Sequence, residues 1–463
     1  MNNMKERFYK WTTSKKIVAS FLFLILVGSI LLSMPISQLE DVKTTYMDHL
    51  FHSVSMVCVT GLSRVPISSI YSTFGLSVSL LLIQCGGLGL MTLVASAAST
   101  LGRKMRLRER LAVQEGINQS DAKDLKTYLS NIFKYTFFIE AMGFLSLCIY
   151  FIPALGFKKG SFTSLFLTIS AFNNAGFDNL GATSLNNYVH EPLVNIVISF
   201  LIILGGIGFI VWFDVARVLS NNYSRKQSPF NLIQLFRKLT LHSKIAIFTT
   251  FSLTFISAFL FFVVEYNNLN SIGKFSFFEK ILASFFQSIT MRTAGFSTID
   301  YGAVHPFTLI NFIFSMFIGG SPGGAAGGLK TTTFVMVILL IYNELRGQKN
   351  VNVLRHTIPE SLVRNALVIS VIFLFSFLLG STLLLLLNPE VPYIHLMFET
   401  VSALATVGVT VNLTPSLGVA SHIIIMIMMF AGRVGPITLV DSLLRKDKFT
   451  KNITYAKGKI IIG

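Results

Sequence analysis

Charge is scarce in this sequence. Asp, Glu, Lys and Arg make up 13% of its 463 residues, about half the share usual in a soluble domain, which excludes a surface that faces water all round. Cysteine is scarcer still: Cys58, Cys85 and Cys148 stand in apolar stretches without CxxC or histidine-rich spacing, so neither a disulfide framework nor a metal site is indicated. No GxGxxG fingerprint and no GK(S/T) phosphate loop occurs, which removes the dinucleotide and P-loop classes for this chain. The first apolar run, Ile17 to Met34, lacks an A-x-A cleavage context and is followed by many more apolar segments. It reads as a retained span and not a removed leader.

What is present is apolar. Hydrophobic residues account for 52% and Phe occurs 43 times, with a mean hydropathy of +0.66, so the chain reads as a polytopic membrane protein. Lys+Arg number 38 against 21 Asp+Glu, a formal charge of +17 that on a soluble protein suggests nucleic acid. Placement decides otherwise. The basic residues gather at Lys5 to Lys16, Arg103 to Arg110, Arg217 to Lys244, Arg346 to Arg364 and Arg445 to Lys459, each abutting an apolar segment. The expected partner is therefore a lipid bilayer and not nucleic acid. The positive-inside rule puts all five clusters and both termini in the cytoplasm, with an even number of crossings between successive clusters.

Each interval between clusters repeats one order of elements. A long apolar run comes first: Ile17 to Leu32, Ile132 to Phe151, Ile245 to Val264 or Leu367 to Leu387. A stretch too short to cross follows: Leu50 to Val57, Ser161 to Phe172, Phe277 to Met291 or Pro392 to Leu404. A second run closes the interval: Phe74 to Ser96, Pro192 to Phe213, Phe307 to Ile341 or His422 to Val440. A bilayer needs about 20 apolar residues per helical crossing. The expected fold is thus all-α: four tandem helix, pore-loop, helix repeats, eight transmembrane helices plus four re-entrant pore helices, around a pseudo-four-fold central pore. The repeats are drawn at residues 1–110, 111–228, 229–350 and 351–445, with a cytoplasmic tail at 446–463.

After every short stretch comes one glycine, at Gly61, Gly176, Gly295 and Gly408, spaced 115, 119 and 113 residues apart. Irregular backbone at membrane depth is tolerated only where it is buried in protein or lines a water-filled cavity, and a dehydrated cation needs replacement oxygens. Glycine permits the backbone angles that turn successive carbonyls toward an axis. The candidate selectivity filter is Val59, Thr60 and Gly61; Asn174, Ala175 and Gly176; Thr293, Ala294 and Gly295; and Thr406, Val407 and Gly408, with K⁺ held at backbone carbonyls near the four glycines. Hydroxyls ahead of the glycines (Ser53 and Ser55, Thr168 and Ser170, Ser288 and Thr290, Thr400 and Ser402) are placed to brace the returning loops. Glycines recur in the second runs at Gly86-Gly87, Gly205-Gly206, Gly319-Gly320 and Gly432. Close packing is a sufficient reason for them in the first two repeats, though not in the last two.

Two features break the symmetry. Gly319, Gly320, Ser321, Pro322, Gly323, Gly324, Gly327 and Gly328, closed by Lys330, fall inside the second run of the third repeat. So many glycines and a proline cannot hold a helix, so the segment reads as a mobile loop below the filter, a gate. Arg433 lies in the second run of the fourth repeat, where a buried charge marks a pathway or a latch. Arg292 is expected to brace its loop from behind, with carbonyls or a carboxylate as partner, and Glu399 is a candidate for that carboxylate or for an outer source of negative field.

The four repeats, one glycine per loop, the RTAGF segment at Arg292 to Phe296, the GGSPGGAAGGLKT loop and the late arginine together resemble the Trk/Ktr/HKT superfamily of potassium transporters. Within it the chain is most similar to the membrane subunit of the bacterial Ktr potassium-uptake system: its first repeat starts soon after a short basic tail, and its end, Lys459 to Gly463, looks like the Ktr tail. The resemblance implies potassium uptake across a bacterial cytoplasmic membrane without enzymatic activity, and a homodimer with one pore per protomer. It also implies a cytoplasmic ring of nucleotide-binding subunits that takes ATP or ADP, with sodium as an activator of the flux. Gly61, in place of the serine found in sodium-selective relatives, favours potassium. Two other classes remain: an alternating-access Na⁺/K⁺ secondary transporter, disfavoured because the second runs hold almost no Asp or Glu apart from Asp214, and a non-conducting scaffold, which leaves the matched glycines without a purpose.

Overall fold

In the computed structural model the described residues are 11, 13–40, 42–89, 125–181, 183–224, 232–348, 350–435, 438–439 and 442. The Arg103 to Arg110 and Arg445 to Lys459 clusters, most of the basic start, the repeat boundaries at 110 and 228, and the tail at 446–463 lie outside them.

The described residues are all-α apart from a two-residue hairpin pairing Asn352–Val353 with His356–Thr357. Among the described residues four helices are long and apolar enough to cross a bilayer: Ser14–Ser33, Tyr128–Leu155, Leu241–Glu265 and Glu360–Leu387. They coincide with the long first runs of the four expected repeats, and two of them carry exposed Phe137, Phe138, Phe248 and Phe255, a cost in water but none in lipid. The polar residues are inside instead, with Ser53, Ser55, Thr168, Ser170, Thr290 and Ser402 all buried.

Each first helix is followed by a shorter one: Tyr46–Val57, Phe157–Phe172, Phe277–Thr290 and Tyr393–Leu404. The 12 residues of Tyr46–Val57 span about 18 Å, well short of a crossing. Two of these starts are written locally. Thr45 with Asp48, and Ser276 with Glu279, form reciprocal capping boxes that satisfy the first free backbone N–H groups.

The second helices are shorter than one crossing or interrupted. Thr73–Leu88 and Val419–Val434 are single apolar helices, while Pro306–Phe317 and Thr331–Leu345 are separated by the glycine-rich loop. The second helix of repeat 2 departs from the expected continuous run Pro192 to Phe213: Pro192–Gly206 and Phe209–Asn221 meet at 98°. The cause lies in the partner segment. Gly208 adopts φ +95°, and the carbonyls freed by the break at Gly205 and Gly206 accept Ala325 N (3.0 Å) and Ser321 N (2.9 Å), while Phe209 N donates to Gly323 O (3.1 Å). The glycine-rich loop of repeat 3 is hydrogen-bonded into the gap, which is how non-helical backbone satisfies its polar groups away from water.

Candidate ion pathway

The four loop glycines meet. A Cβ on Gly61 would lie 2.6 Å from Ala175 O, and one on Gly176 would lie 2.7 Å from Ala294 O; Gly295 stands likewise against Val407 O, and Gly408 against Thr60 O. Each loop therefore touches the next and the fourth touches the first, closing a ring in repeat order. All four glycines have left-handed φ: +103°, +69°, +86° and +97°. Two residues earlier in every loop a non-glycine residue is also left-handed: Val59 (+55°), Asn174 (+57°), Thr293 (+71°) and Thr406 (+53°). For the β-branched three this costs about 1–3 kcal/mol each. It is sustained because the residue between is tied to the pore helix, by Thr60 N to Ser55 O, Ala175 N to Ser170 O and Val407 N to Ser402 O, each 2.8 Å, and by Ala294 N to Thr290 O at 2.9 Å.

The expected hydroxyl braces form in repeats 1, 3 and 4 and are missing in repeat 2. Ser55 and Ser402 accept Gly61 N and Gly408 N at 3.1 Å, and Thr290 donates to Phe296 O. Thr168 and Ser170 have no partner. Ser53 and Ser288 tie the pore helices to Ile25 O and Thr254 O of the first helices. The second-helix glycines Gly86, Gly205 and Gly432 back onto the last carbonyls of their own pore helices, those of Val57, Phe172 and Leu404. Close packing is thus present at Gly432 as it is at Gly86 and Gly205.

On one side of the ring lies a cavity of about 250 Å³ whose wall includes all four glycines together with Asp178 and Asp300. Neither aspartate stands out in the sequence, because their approach depends on the loops folding over the ring. Asp300 Oδ1 accepts Gly302 N (2.9 Å) and Asn412 Nδ2 (2.8 Å), and Asp178 Oδ1 accepts Leu180 N (3.0 Å). Burial raises the Asp178 carboxyl above its ordinary range, against hydrogen bonds that lower it. Two acidic side chains thus share the wall of one cavity with the four loop glycines.

The glycine-rich loop lies against the loops of the ring. Gly327 N donates to Thr293 Oγ1 (3.1 Å), and a Cβ on Gly327 would lie 2.6 Å from Ala405 O. The ends of the loop meet through Gly319 N to Leu329 O (3.0 Å) and Gly320 N to Gly327 O (3.2 Å), and Ser321 pairs with Thr331 (2.9 Å). Three cations hold it by its carbonyls. Arg433 Nη1 donates to Ala325 O, and its Nη2 donates to Gly86 O (2.5 Å) and Gly87 O (3.0 Å) in repeat 1. Lys330 Nζ donates to Ala326 O (2.5 Å). Arg292 donates to Thr250 O (3.2 Å) and Gly319 O (3.1 Å), behind its own loop. Glu399 is not its partner: it accepts from Thr410, Val411 N (3.2 Å) and Thr414 (2.7 Å) in the return segment of repeat 4.

The family model for TrkH, "Cation transport protein", matches residues 3–451. The chain belongs to the TrkH family of cation transport proteins. It thereby falls in the Trk/Ktr/HKT superfamily, a family of transporters and not of enzymes. Among curated relatives, this TrkH-family chain is 37% identical to the Ktr system potassium uptake protein B of Bacillus subtilis and 34% identical to the potassium/sodium uptake protein NtpJ of Enterococcus hirae, in each case over 100% of both chains. The crystal structure of the potassium transporter TrkH from Vibrio parahaemolyticus superposes with a TM-score of 0.70 at 16% identity, over 92% of this chain and 83% of that one. That likeness establishes the shared fold, a multi-pass membrane architecture.

Proposed function

We propose that this TrkH-family chain is the ion-translocating subunit of a potassium-uptake system. The observation that carries the reading is the closed ring of four glycine loops, with two carboxylates on one side and a carbonyl-latched loop on the other. In this reading each second helix, whole or broken, completes one crossing, giving eight spans and four pore helices. Cations shed water against the carbonyls of Thr60, Ala175, Ala294, Val407 and the four glycines. The segment from Gly319 to Lys330, latched by Arg433, obstructs the path. The membrane potential supplies about 2.3 kcal/mol per ion per 100 mV.

The names of the curated relatives support potassium as cargo, and the words "Ktr system" support a place in a system of more than one part, of which a nucleotide-binding regulatory subunit is the part that the family resemblance implies. With neither a GxGxxG nor a P-loop motif on this chain, ATP or ADP belongs on that partner. Cytoplasmic termini, a homodimer and a cytoplasmic ring of partners complete the proposal. Sodium, as activator or second cargo, is supported by the printed name of the Enterococcus relative.

Flux into proteoliposomes holding the purified chain, with K⁺ and Na⁺ compared under an imposed potential, tests the reading. Potassium entry that follows the potential supports it; no entry of either ion refutes it. Asp178→Asn with Asp300→Asn is expected to lower flux severalfold at low ionic strength and to approach wild type at high salt, because screening cancels a long-range field. A deficit independent of salt would contradict the field role.

A further inference from the structure

Glu140 lies midway along the first helix of repeat 2, Leu125–Leu155, buried at 7% exposure. Among the described residues no Lys or Arg pairs with it. A carboxyl group inside a span is costly and calls for a role. Its oxygens accept Gln84 Nε2 at 3.0 and 3.4 Å, and Oε1 also lies 3.5 Å from Asn173 Nδ2. Gln84 Oε1 in turn accepts Asn173 Nδ2 at 2.7 Å. The three side chains form one clamp closed on Asn173, which immediately precedes the left-handed Asn174.

The other repeats show why loop 2 needs it. In repeats 1 and 4 the loop glycine N–H is held by Ser55 or Ser402, six residues earlier, and the residues three before the glycine, Cys58 and Ala405, are small. In repeat 2 the equivalent hydroxyl, Ser170, has no partner, and in repeat 3 that position is Ile289. There the residue three before the glycine takes over: Arg292 reaches Thr250 O of its own first helix, and Asn173 reaches Glu140 of its own. Loops 1 and 4 are held from six residues back by a hydroxyl; loop 3 has both the Thr290 hydroxyl on Phe296 O and the Arg292 side chain, and loop 2, whose Thr168 and Ser170 hydroxyls find no partner, is held from three residues back by Asn173. Gly87 belongs to the device, since a Cβ there would collide with the Asn173 amide.

We infer that Glu140 is a positioning residue for ion selection: through Gln84 and directly, it holds Asn173 and thereby sets the second loop of the ring. The inference rests on the potassium-pathway reading and adds to it a determinant outside the loops. The clamp also reaches the turn of Thr73–Leu88 whose Gly86 and Gly87 carbonyls receive Arg433, so loop 2 and the latch share one support.

The test is the K⁺/Na⁺ flux ratio in proteoliposomes for wild type, Glu140→Ala, Glu140→Gln, Gln84→Leu, Asn173→Ala and the double variant Glu140→Ala/Asn173→Ala. Loss of one buried charge-assisted hydrogen bond is expected to lower the ratio about tenfold in Glu140→Ala and Asn173→Ala. The double variant is expected to be no worse than either single, because both open the same clamp. Glu140→Gln keeps an acceptor oxygen for Gln84 and is expected within about threefold of wild type. Gln84→Leu, which leaves Glu140 in place, must show the same fall as Glu140→Ala, and it decides the matter should Glu140→Ala fail to insert. An unchanged ratio in these variants, whatever the total flux, reduces the clamp to helix packing and overturns the inference; equal losses in Glu140→Gln and Glu140→Ala assign the effect to charge and overturn it as well. A wild type that carries no potassium overturns the underlying reading; wild-type flux with unmoved ratios overturns this inference alone.

Discussion

Gly295→Ser is expected to lower potassium flux at least tenfold and to bring the K⁺/Na⁺ ratio toward one. Gly295 sits at φ +86°, where a residue with a Cβ is strained by about 1–3 kcal/mol. The new Cβ would meet Val407 O, and Gly176 Cα at 2.9 Å. Both neighbours belong to other loops of the ring, so the strain cannot be confined to repeat 3: either loop 3 rotates its own carbonyls or loops 2 and 4 give way. The same reasoning applies to Gly61, Gly176 and Gly408, each of which faces a carbonyl of the next repeat. The expected order of damage follows closeness of approach, with Gly408 at least as sensitive as Gly295. Flux of K⁺ and Na⁺ through reconstituted protein measures it, and a Gly295→Ser protein with wild-type ratio would remove this ring from ion selection.

Arg433→Ala is expected to act in the opposite direction, raising potassium flux at least tenfold. The guanidinium bonds the loop at Ala325 O and the second helix of repeat 1 at Gly86 O and Gly87 O, so its removal unties the loop from repeat 1 without touching the ring. A hydrogen bond from a charged donor contributes about 1.5–3 kcal/mol, so losing even one moves a closed-to-open equilibrium tenfold or more. A deletion within residues 323–328 removes the groups seated in the break after Gly206 and should raise flux further. The ratio of ions should move less than in Gly295→Ser, because the ring keeps its own ties to the pore helices. Flux unaltered by both changes would exclude this segment as the gate.

The order of elements, the loop glycines, the interrupted segment of repeat 3 and the late arginine were legible in the sequence, because each is a local signal of period, apolar length or residue type, whereas two of the short helices begin before their apolar stretches, at Tyr46 and Phe157 against Leu50 and Ser161. The capping boxes at Thr45 and Ser276 are local in the same sense. The departures are nonlocal. Val59, Thr293 and Thr406 carry no mark of left-handed backbone, since β-branched residues resist it and adopt it here only because the flanking residues are tied to a pore helix. The break at Gly208 carries no decisive mark: Pro192 to Phe213 is uncharged, its glycines at 205, 206 and 208 suit close packing equally well, and what fills the gap is a loop more than 100 residues later. Glu399 turned to its own return segment and Arg292 to carbonyls, choices between partners of suitable chemistry that composition does not rank.

By itself the sequence set out one order of elements written four times, with one glycine after each short stretch, and made the last two intervals unlike the others. Only the tertiary structure decided that the four turns close in order, each glycine against the preceding carbonyl of the next, and that the loop of repeat 3 fills a gap in repeat 2 while an arginine of repeat 4 ties it to repeat 1. The physical reason is range. Period, length and backbone permissiveness act within a few residues and are written in them, whereas hydrogen-bond partners at membrane depth are set by which distant backbone groups have been left without water.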